Sequence, residues 1–391
     1  MSNQQESGNH SQADFATKLI HFGSEMDRTT GASSVPIYQA STFHHEDVFN
    51  PPQYDYSRSG NPTRQALEDY IALLEGGERG LAFASGMAAI SSTFMLFSSG
   101  DHVIVTEDVY GGTYRLLTSI LSRLGIETTF VDMTDLDQVK GALKPNTKAV
   151  YMETPSNPTL KITDVAAVTN WAKENDLITM LDNTFMTPYY QRPIEQGVDI
   201  VIHSATKFLG GHSDVLAGLT VARTASLGQQ LKQLQNGLGT VLGPQDSWLL
   251  IRGMKTLKVR MNQSEISAGK LASWLNERKD ISSVFYPGLK DHPGREIHEK
   301  QSTGYGAVVS FDVGSGERAK KVLNKVQIPL VAVSLGAVES ILSYPAMMSH
   351  AAMPVEVRAE RGITDGLLRF SVGLEDIEDL INDLNQALQE D

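Results

Sequence analysis

Val198-Asp199-Ile200-Val201-Ile202-His203-Ser204-Ala205-Thr206-Lys207-Phe208-Leu209-Gly210-Gly211-His212 sets the terms for the rest of the chain. Its first part, Val198–His203, is an apolar run that reads as a buried strand. Two hydroxyl residues and a lysine follow, then paired glycines that mark a turn. A lysine just past a buried strand is either a cation whose stem snorkels to the surface or an amine held in a dry pocket. Ser204 and Thr206 bear on that choice, because their hydroxyls offer donors to an anion beside the amine.

Working outward, strand-like runs recur at Gly80–Ala84, His102–Thr106, Glu127–Val131, Lys148–Glu153, Leu177–Asp182 and Ala217–Ala222. Helical patterns such as Arg115–Leu124 and Asp164–Asn175 fall between most of them. Alternating strand and helix predicts a mostly parallel sheet covered on both faces. Asn61-Pro62 is a helix start, a capping side chain followed by proline, and Leu67, Ile71 and Leu74 keep helical spacing until Gly76-Gly77. Upstream, Phe15–Ser59 shows little periodicity and is interrupted by Pro36, Pro51 and Pro52, as either an extended arm or a surface loop would be. Residues 1–13 are polar and are predicted to be disordered. After about Asp246 the pattern changes: Trp248–Lys270 reads as one long helix, and Ala307–Val313 and Leu367–Val372 are strands among helices. The predicted organisation is an N-terminal arm (1–60), an α/β domain (61–254) and a smaller α+β domain (255–391).

The 391 residues contain no cysteine, which excludes disulfides, thiolate metal sites and a cysteine nucleophile. Lys and Arg number 33 against 46 acids, a net charge of −13, so no basic field draws in nucleic acid or an anionic membrane. No apolar run is long enough to span a bilayer, and the polar start lacks the apolar core of a signal peptide; a cytoplasmic protein is expected. Dinucleotide, P-loop, zinc-protease and nucleophile-elbow motifs are all missing. His44-His45-Glu46 and His292 with His298 are loose groupings, read as surface residues rather than metal ligands.

Several strand ends carry chemistry-bearing residues. In Phe83-Ala84-Ser85-Gly86-Met87 a strand gives way to a helix whose free amides make an anion site, or simply a tight turn. Asp182 either caps a helix or holds a pyridine nitrogen protonated. Tyr110 is a half-buried aromatic or a ring stacked on a cofactor, and Asn157 shapes a turn or donates to a cofactor oxygen. Arg369, inside an apolar strand, needs an anionic partner, either a protein carboxylate or a substrate carboxylate. An amine such as that of Lys207 beside a phosphate site suggests a carbonyl cofactor held as a Schiff base, usually pyridoxal phosphate.

These segments resemble, from about Phe15 onward, the pyridoxal-phosphate enzymes of cysteine and methionine metabolism: the cystathionine lyases and synthases and methionine γ-lyase. The resemblance is carried by Tyr56–Thr63, Ser85–Ala89, Tyr110–Thr113, Glu153–Pro158, Asp182–Thr184, His203–Lys207 and Ser334–Gly336. It implies the aspartate aminotransferase type of fold, with a mostly parallel seven-stranded sheet and a smaller C-terminal α+β domain. It also implies pyridoxal 5'-phosphate on Lys207, with Asp182 at the pyridinium nitrogen and Tyr110 on the ring. Ser204, Thr206 and the Gly86 and Met87 amides would hold the phosphate, joined by Tyr56 and Arg58 from a neighbouring subunit of a homotetramer, a dimer of catalytic dimers. Asn157, Ser334 and Arg369 would fix the α-carboxylate of a sulfur amino acid, and Lys207 and Tyr110 would move protons. Glu339 and Asp55 match acids of the γ-acting members that would contact a distal ammonium, whereas Gly112 stands where methionine γ-lyases carry cysteine. Tyr54–Arg58, Phe130–Asp135 and Ala332–Tyr344 resemble the β-lyases of Gram-positive bacteria most, so β-elimination of cystathionine is expected ahead of γ-elimination or γ-synthesis. A pyridoxal-phosphate-binding regulatory protein is the non-enzyme alternative.

Overall fold

A computed structural model describes residues 13–21, 27, 29–351 and 353–389, so nearly all of the start predicted to be disordered lies outside the described residues. The larger sheet has seven strands: β1 (Arg79–Phe83), β2 (His102–Thr106), β3 (Glu127–Val131), β4 (Thr147–Glu153), β5 (Ile178–Asp182), β6 (Ile200–Ser204) and β7 (Gly218–Ala222). Their order is β1-β7-β6-β5-β4-β2-β3. A smaller sheet contains β8 (Ser283–Phe285), β9 (Val308–Asp312), β10 (Leu330–Val331), β11 (Ile341–Ser343) and β12 (Leu367–Ser371), ordered β10-β11-β12-β9-β8. The predicted α/β class with a second, smaller sheet is borne out, and each predicted strand of the larger sheet falls within two residues of its observed bounds. The chain divides into two compact units, residues 1–96 with 199–258 and residues 97–198 with 259–391.

In the first unit β7 runs antiparallel to both β1 and β6. The helix Pro62–Glu75 begins as predicted: the Asn61 side chain accepts the amides of Thr63 and Arg64, and Gly76 ends the helix in the left-handed region at φ 78°. Leu67, Ile71 and Leu74 are its buried stripe, each worth roughly 1.5–3 kcal/mol on burial. The predicted single helix over Trp248–Lys270 is two, Pro244–Met254 and Leu257–Asn276. The break follows from Thr256, whose amide (3.2 Å) and hydroxyl (3.0 Å) both turn back to the Gly253 carbonyl and leave the helical ladder.

In the second unit β2, β3, β4 and β5 are parallel, and β2 and most of β4 are buried along their length. The predicted helix Arg115–Leu124 is instead an α-turn (Gly111–Arg115), a π-turn (Leu116–Ile120) and a 3-10 turn ending at Gly125. Packed side chains from Leu271, Phe311, Leu342, Phe370 and Leu384 form the core of the smaller sheet.

His292 and His298, read from sequence as surface residues, are buried; His298 Nε2 lies 2.8 Å from the Gly304 carbonyl. Burial pushes His292 down to about 4, and burial with the Arg369 charge pushes His350 down to about 3. Both are depressed below the unfolded value near 6.5, so the unfolded chain binds protons that the fold refuses. Stability is therefore expected to fall as pH drops from 6.5 towards 4, by up to about 1.4 kcal/mol per pH unit per histidine. Urea unfolding midpoints across that window check this; a slope unchanged by His350→Asn and by His292→Asn would contradict it.

Candidate active site

In the first unit two strand ends meet. Ser85 caps the helix Gly86–Phe94 by accepting the Ala88 amide at 3.1 Å. The Gly86 and Met87 amides open that helix, with no carbonyl four residues back inside it, and form an anion-binding end. A Cβ at Gly86 would lie 2.8 Å from Ser204 Cβ and Oγ, so only glycine admits this approach. Past Ser204 the chain turns: the Lys207 amide donates to the Ser204 carbonyl at 3.1 Å, and the Gly211 amide to the Lys207 carbonyl at 2.8 Å. Lys207 is half-buried. Thr206 closes the turn, its Oγ1 donating to the Ala217 carbonyl (3.2 Å) and accepting the Ala217 amide (3.0 Å). Gly86, Met87, Ser204, Thr206 and Lys207 thus share one corner of this unit.

The predicted arm residues are in the same unit and exposed. The Arg58 guanidinium lies 5.4 Å from the Tyr56 ring centroid and donates to the Asn236 carbonyl (2.7 Å) and Oδ1 (2.9 Å). Asp55 accepts the Tyr56 amide at 2.6 Å. What holds this segment was missed from sequence: buried Arg64 donates to the carbonyls of Ser57 (2.6 Å) and Arg58 (3.2 Å) and pairs with Glu68 at 3.6 Å. The signal was present, because Arg64 sits one turn before Leu67 on the apolar stripe of its own helix.

In the second unit, Arg369 on β12 is 2% exposed. It donates through Nη1 to Asn157 Oδ1 (2.7 Å) and through Nη2 to the Ser334 carbonyl (2.8 Å) and Ser343 Oγ (3.2 Å). Its Nε is buried without a partner, and among the described residues no carboxylate lies within ion-pair distance. Burial pushes it down to about 10, which leaves it charged at neutral pH. Asn157 spends its oxygen on Arg369, so its NH₂ remains to donate elsewhere. Ser334 is held at φ 93°, a strained conformation for a serine. Asn157, Ser334 and Arg369, grouped from sequence, are brought together; Glu339 is half-buried on the segment that follows Ser334.

Asp182 ends β5, where its Oδ1 accepts the amide (3.0 Å) and hydroxyl (2.5 Å) of Thr184; it closes a turn rather than capping a helix, because the next helix starts only at Thr187 with Met186 at its N-cap. Tyr151 Oη is 3.5 Å from its Oδ2. Glu153 pairs with Asp182 in the β4–β5 register and accepts the Tyr110 amide at 3.0 Å. Burial, then the Asp182 charge, raises the Glu153 carboxyl well above its usual range. Tyr110 is 40% exposed, and Gly111 after it lets the Ser349 carbonyl approach where a Cβ would lie 1.8 Å away. Glu153 and Tyr151 were not singled out from sequence, because each looks like an ordinary strand residue until the register sets it beside Asp182. A cavity of about 480 Å³ in this unit, lined by Thr159, Lys161, Phe285, His292 and Arg361 among others, includes none of the predicted site residues.

The first unit thus presents a lysine turn beside a helix end suited to an anion, and the second a buried arginine with no protein carboxylate on it among the described residues. The family model for Cys/Met metabolism PLP-dependent enzymes matches residues 16–389, and the chain belongs to that family. The chain is 61% identical over 374 residues to cystathionine β-lyase MetC of Bacillus subtilis (strain 168), covering 96% of each protein. It is 53% identical over 373 residues to cystathionine γ-lyase of the same organism, covering 95% of this chain and 98% of the relative. A solved cystathionine γ-lyase from Lactobacillus plantarum, complexed with L-serine, matches with a TM-score of 0.94 at 49% identity, covering 96% of this chain and 98% of that one. Pyridoxal 5'-phosphate is the family's cofactor, and the residues of each unit have the chemistry for it: in the first a glycine-lined helix end for phosphate and an amine, in the second a buried carboxylate and an amide NH₂.

Proposed function

We propose that this chain is a cystathionine β-lyase, converting cystathionine and water to homocysteine, pyruvate and ammonia. The observation that carries an amino-acid substrate is the Arg369 seat: a buried guanidinium, oriented by Asn157 and Ser334, with Nε unsatisfied. Such a group demands an anion, and a carboxylate meets it in a forked pair. The preference for β-elimination is supported by the 61% likeness to a β-lyase.

Pyridoxal phosphate, when bound, supplies the electron sink for a carbanion at the substrate's Cα. The chain's residues do the rest. In our reading the Gly86 and Met87 amides, Ser204 and Thr206 would hold the phosphate, and Lys207 would anchor the aldehyde carbon. Asp182 would carry the negative charge that keeps the ring nitrogen protonated. Tyr110 would stack on the ring. Arg369 and Asn157 fix the α-carboxylate, which aims the Cα proton at the Lys207 amine. That amine takes the proton, and Lys207 or Tyr110 returns one to the departing sulfur.

γ-Elimination in the same site is the second reading, favoured by Glu339 and Asp55 as seats for a distal ammonium and by the 53% likeness to a γ-lyase. We further propose a cytoplasmic homotetramer whose 1–60 arm brings Tyr56 and Arg58 to a neighbour's phosphate, ahead of domains at 61–254 and 255–391. Their exposure in one chain is consistent with that use. The holoenzyme incubated with cystathionine tests the main reading. Homocysteine with pyruvate is expected; cysteine with 2-oxobutanoate as the main products would contradict it.

A further inference from the structure

We propose that Asp108 is a positioning residue for the substrate's α-carboxylate, acting through the loop that presents Asn157. This rests on the reading that Asn157 and Arg369 seat that carboxylate. Asp108 lies two residues past β2, is 1% exposed and touches neither Arg369 nor Asn157 in any hydrogen bond. Its Oδ2 accepts the hydroxyls of Ser156 and, at 2.6 Å, Thr159; its Oδ1 accepts that of Thr106 at 3.4 Å. The residues flanking Asn157-Pro158 are therefore clamped to one carboxylate. The loop closes on itself as well: the Ser156 amide donates to the Lys161 carbonyl (3.0 Å), and the Lys161 amide donates to Ser156 Oγ (3.0 Å). Lys161 Nζ then ties the far end to Glu107 (2.7 Å) and Asp132 (3.1 Å).

A buried carboxylate is costly unless donors satisfy it, and here three hydroxyls converge on one. An amide of the same shape cannot match this, because its NH₂ faces one of those hydroxyls and the remaining bonds lose their charge assistance. Asn157 Oδ1 meets Arg369 at 2.7 Å, a bond whose length and angle depend on where the clamped loop stands. Loosening the clamp should misalign the fork before it disturbs any proton-transfer group.

The test compares glycine and glycinamide, with and without the α-carboxylate, titrated against holoenzyme and followed by the cofactor's visible band, alongside kcat and KM for cystathionine. Asp108→Asn is expected to weaken glycine and raise KM about tenfold, with kcat within about twofold and glycinamide unchanged. Thr159→Val, which removes one clamp, and Ser156→Ala, which removes one clamp and the acceptor of the Lys161 amide, both keep the carboxylate; they should show a smaller selective loss and serve if Asp108→Asn does not fold. Equal weakening of both ligands, or a fall in kcat with KM unchanged, would overturn the proposal. Arg369→Lys separates the two claims. If it too spares the difference between glycine and glycinamide, the carboxylate seat is misassigned; if it removes that difference while the Asp108 clamp variants do not, Asp108 alone is.

Discussion

Lys207→Ala is expected to lower kcat for cystathionine cleavage by about 10⁴-fold or more, because one group is asked both to anchor the cofactor and to move the Cα proton. General acid–base transfer alone contributes about 10²–10⁴-fold. The backbone of the turn does not depend on the side chain: the Lys207 amide and carbonyl are bonded to Ser204 and Gly211 whatever residue stands there. The loss should therefore be chemical, with the apoenzyme's unfolding midpoint shifted by no more than a few degrees. Partial rescue by added methylamine and none in Lys207→Arg would identify a missing amine rather than a missing charge. A variant retaining a tenth of the wild-type rate would remove Lys207 from the mechanism.

Arg369→Ala should lower kcat/KM by about 10²–10³-fold, the equivalent of one lost bidentate charge-assisted pair at roughly 3–4 kcal/mol. Most of that should appear in KM, since the carboxylate is bound in ground state and transition state alike. Stability should change less than catalysis. The substitution orphans Asn157 Oδ1 and the Ser334 carbonyl, but it also removes a buried cation whose Nε had no partner. Unfolding in urea beside steady-state kinetics measures both. A loss of stability with KM unchanged would make Arg369 a structural residue of the smaller sheet.

What could be read from sequence, and what could not, divides by the range of the interaction. Strands β2 and β6 announce themselves because both faces are buried and each holds an apolar run, Val103–Val105 and Ile200–Ile202. Helix starts such as Asn61-Pro62 are local chemistry and were legible to the residue. β10 has two residues and β8 and β11 three, too few for a period to register. The helix break at Thr256 depends on an amide and a hydroxyl both turning to the Gly253 carbonyl, which no hydrophobic pattern records. Among the candidate site residues, Lys207, Asp182 and Arg369 were visible as charged residues at or within apolar strands. Asp108 and Glu153 were not, since their partners stand 48 and 43 residues away and only the fold joins them. The histidines mislead for the same reason: His292 looks exposed in a polar segment and is buried by tertiary packing.

The central claim is that Lys207 is the residue that carries the cofactor. Reduction of the holoenzyme with borohydride, followed by proteolysis and mass mapping, tests it directly. A pyridoxyl phosphate adduct on the peptide containing Lys207, and on no other lysine, is the expected result. An adduct on a different lysine, or none at all in protein that binds the cofactor, would contradict it.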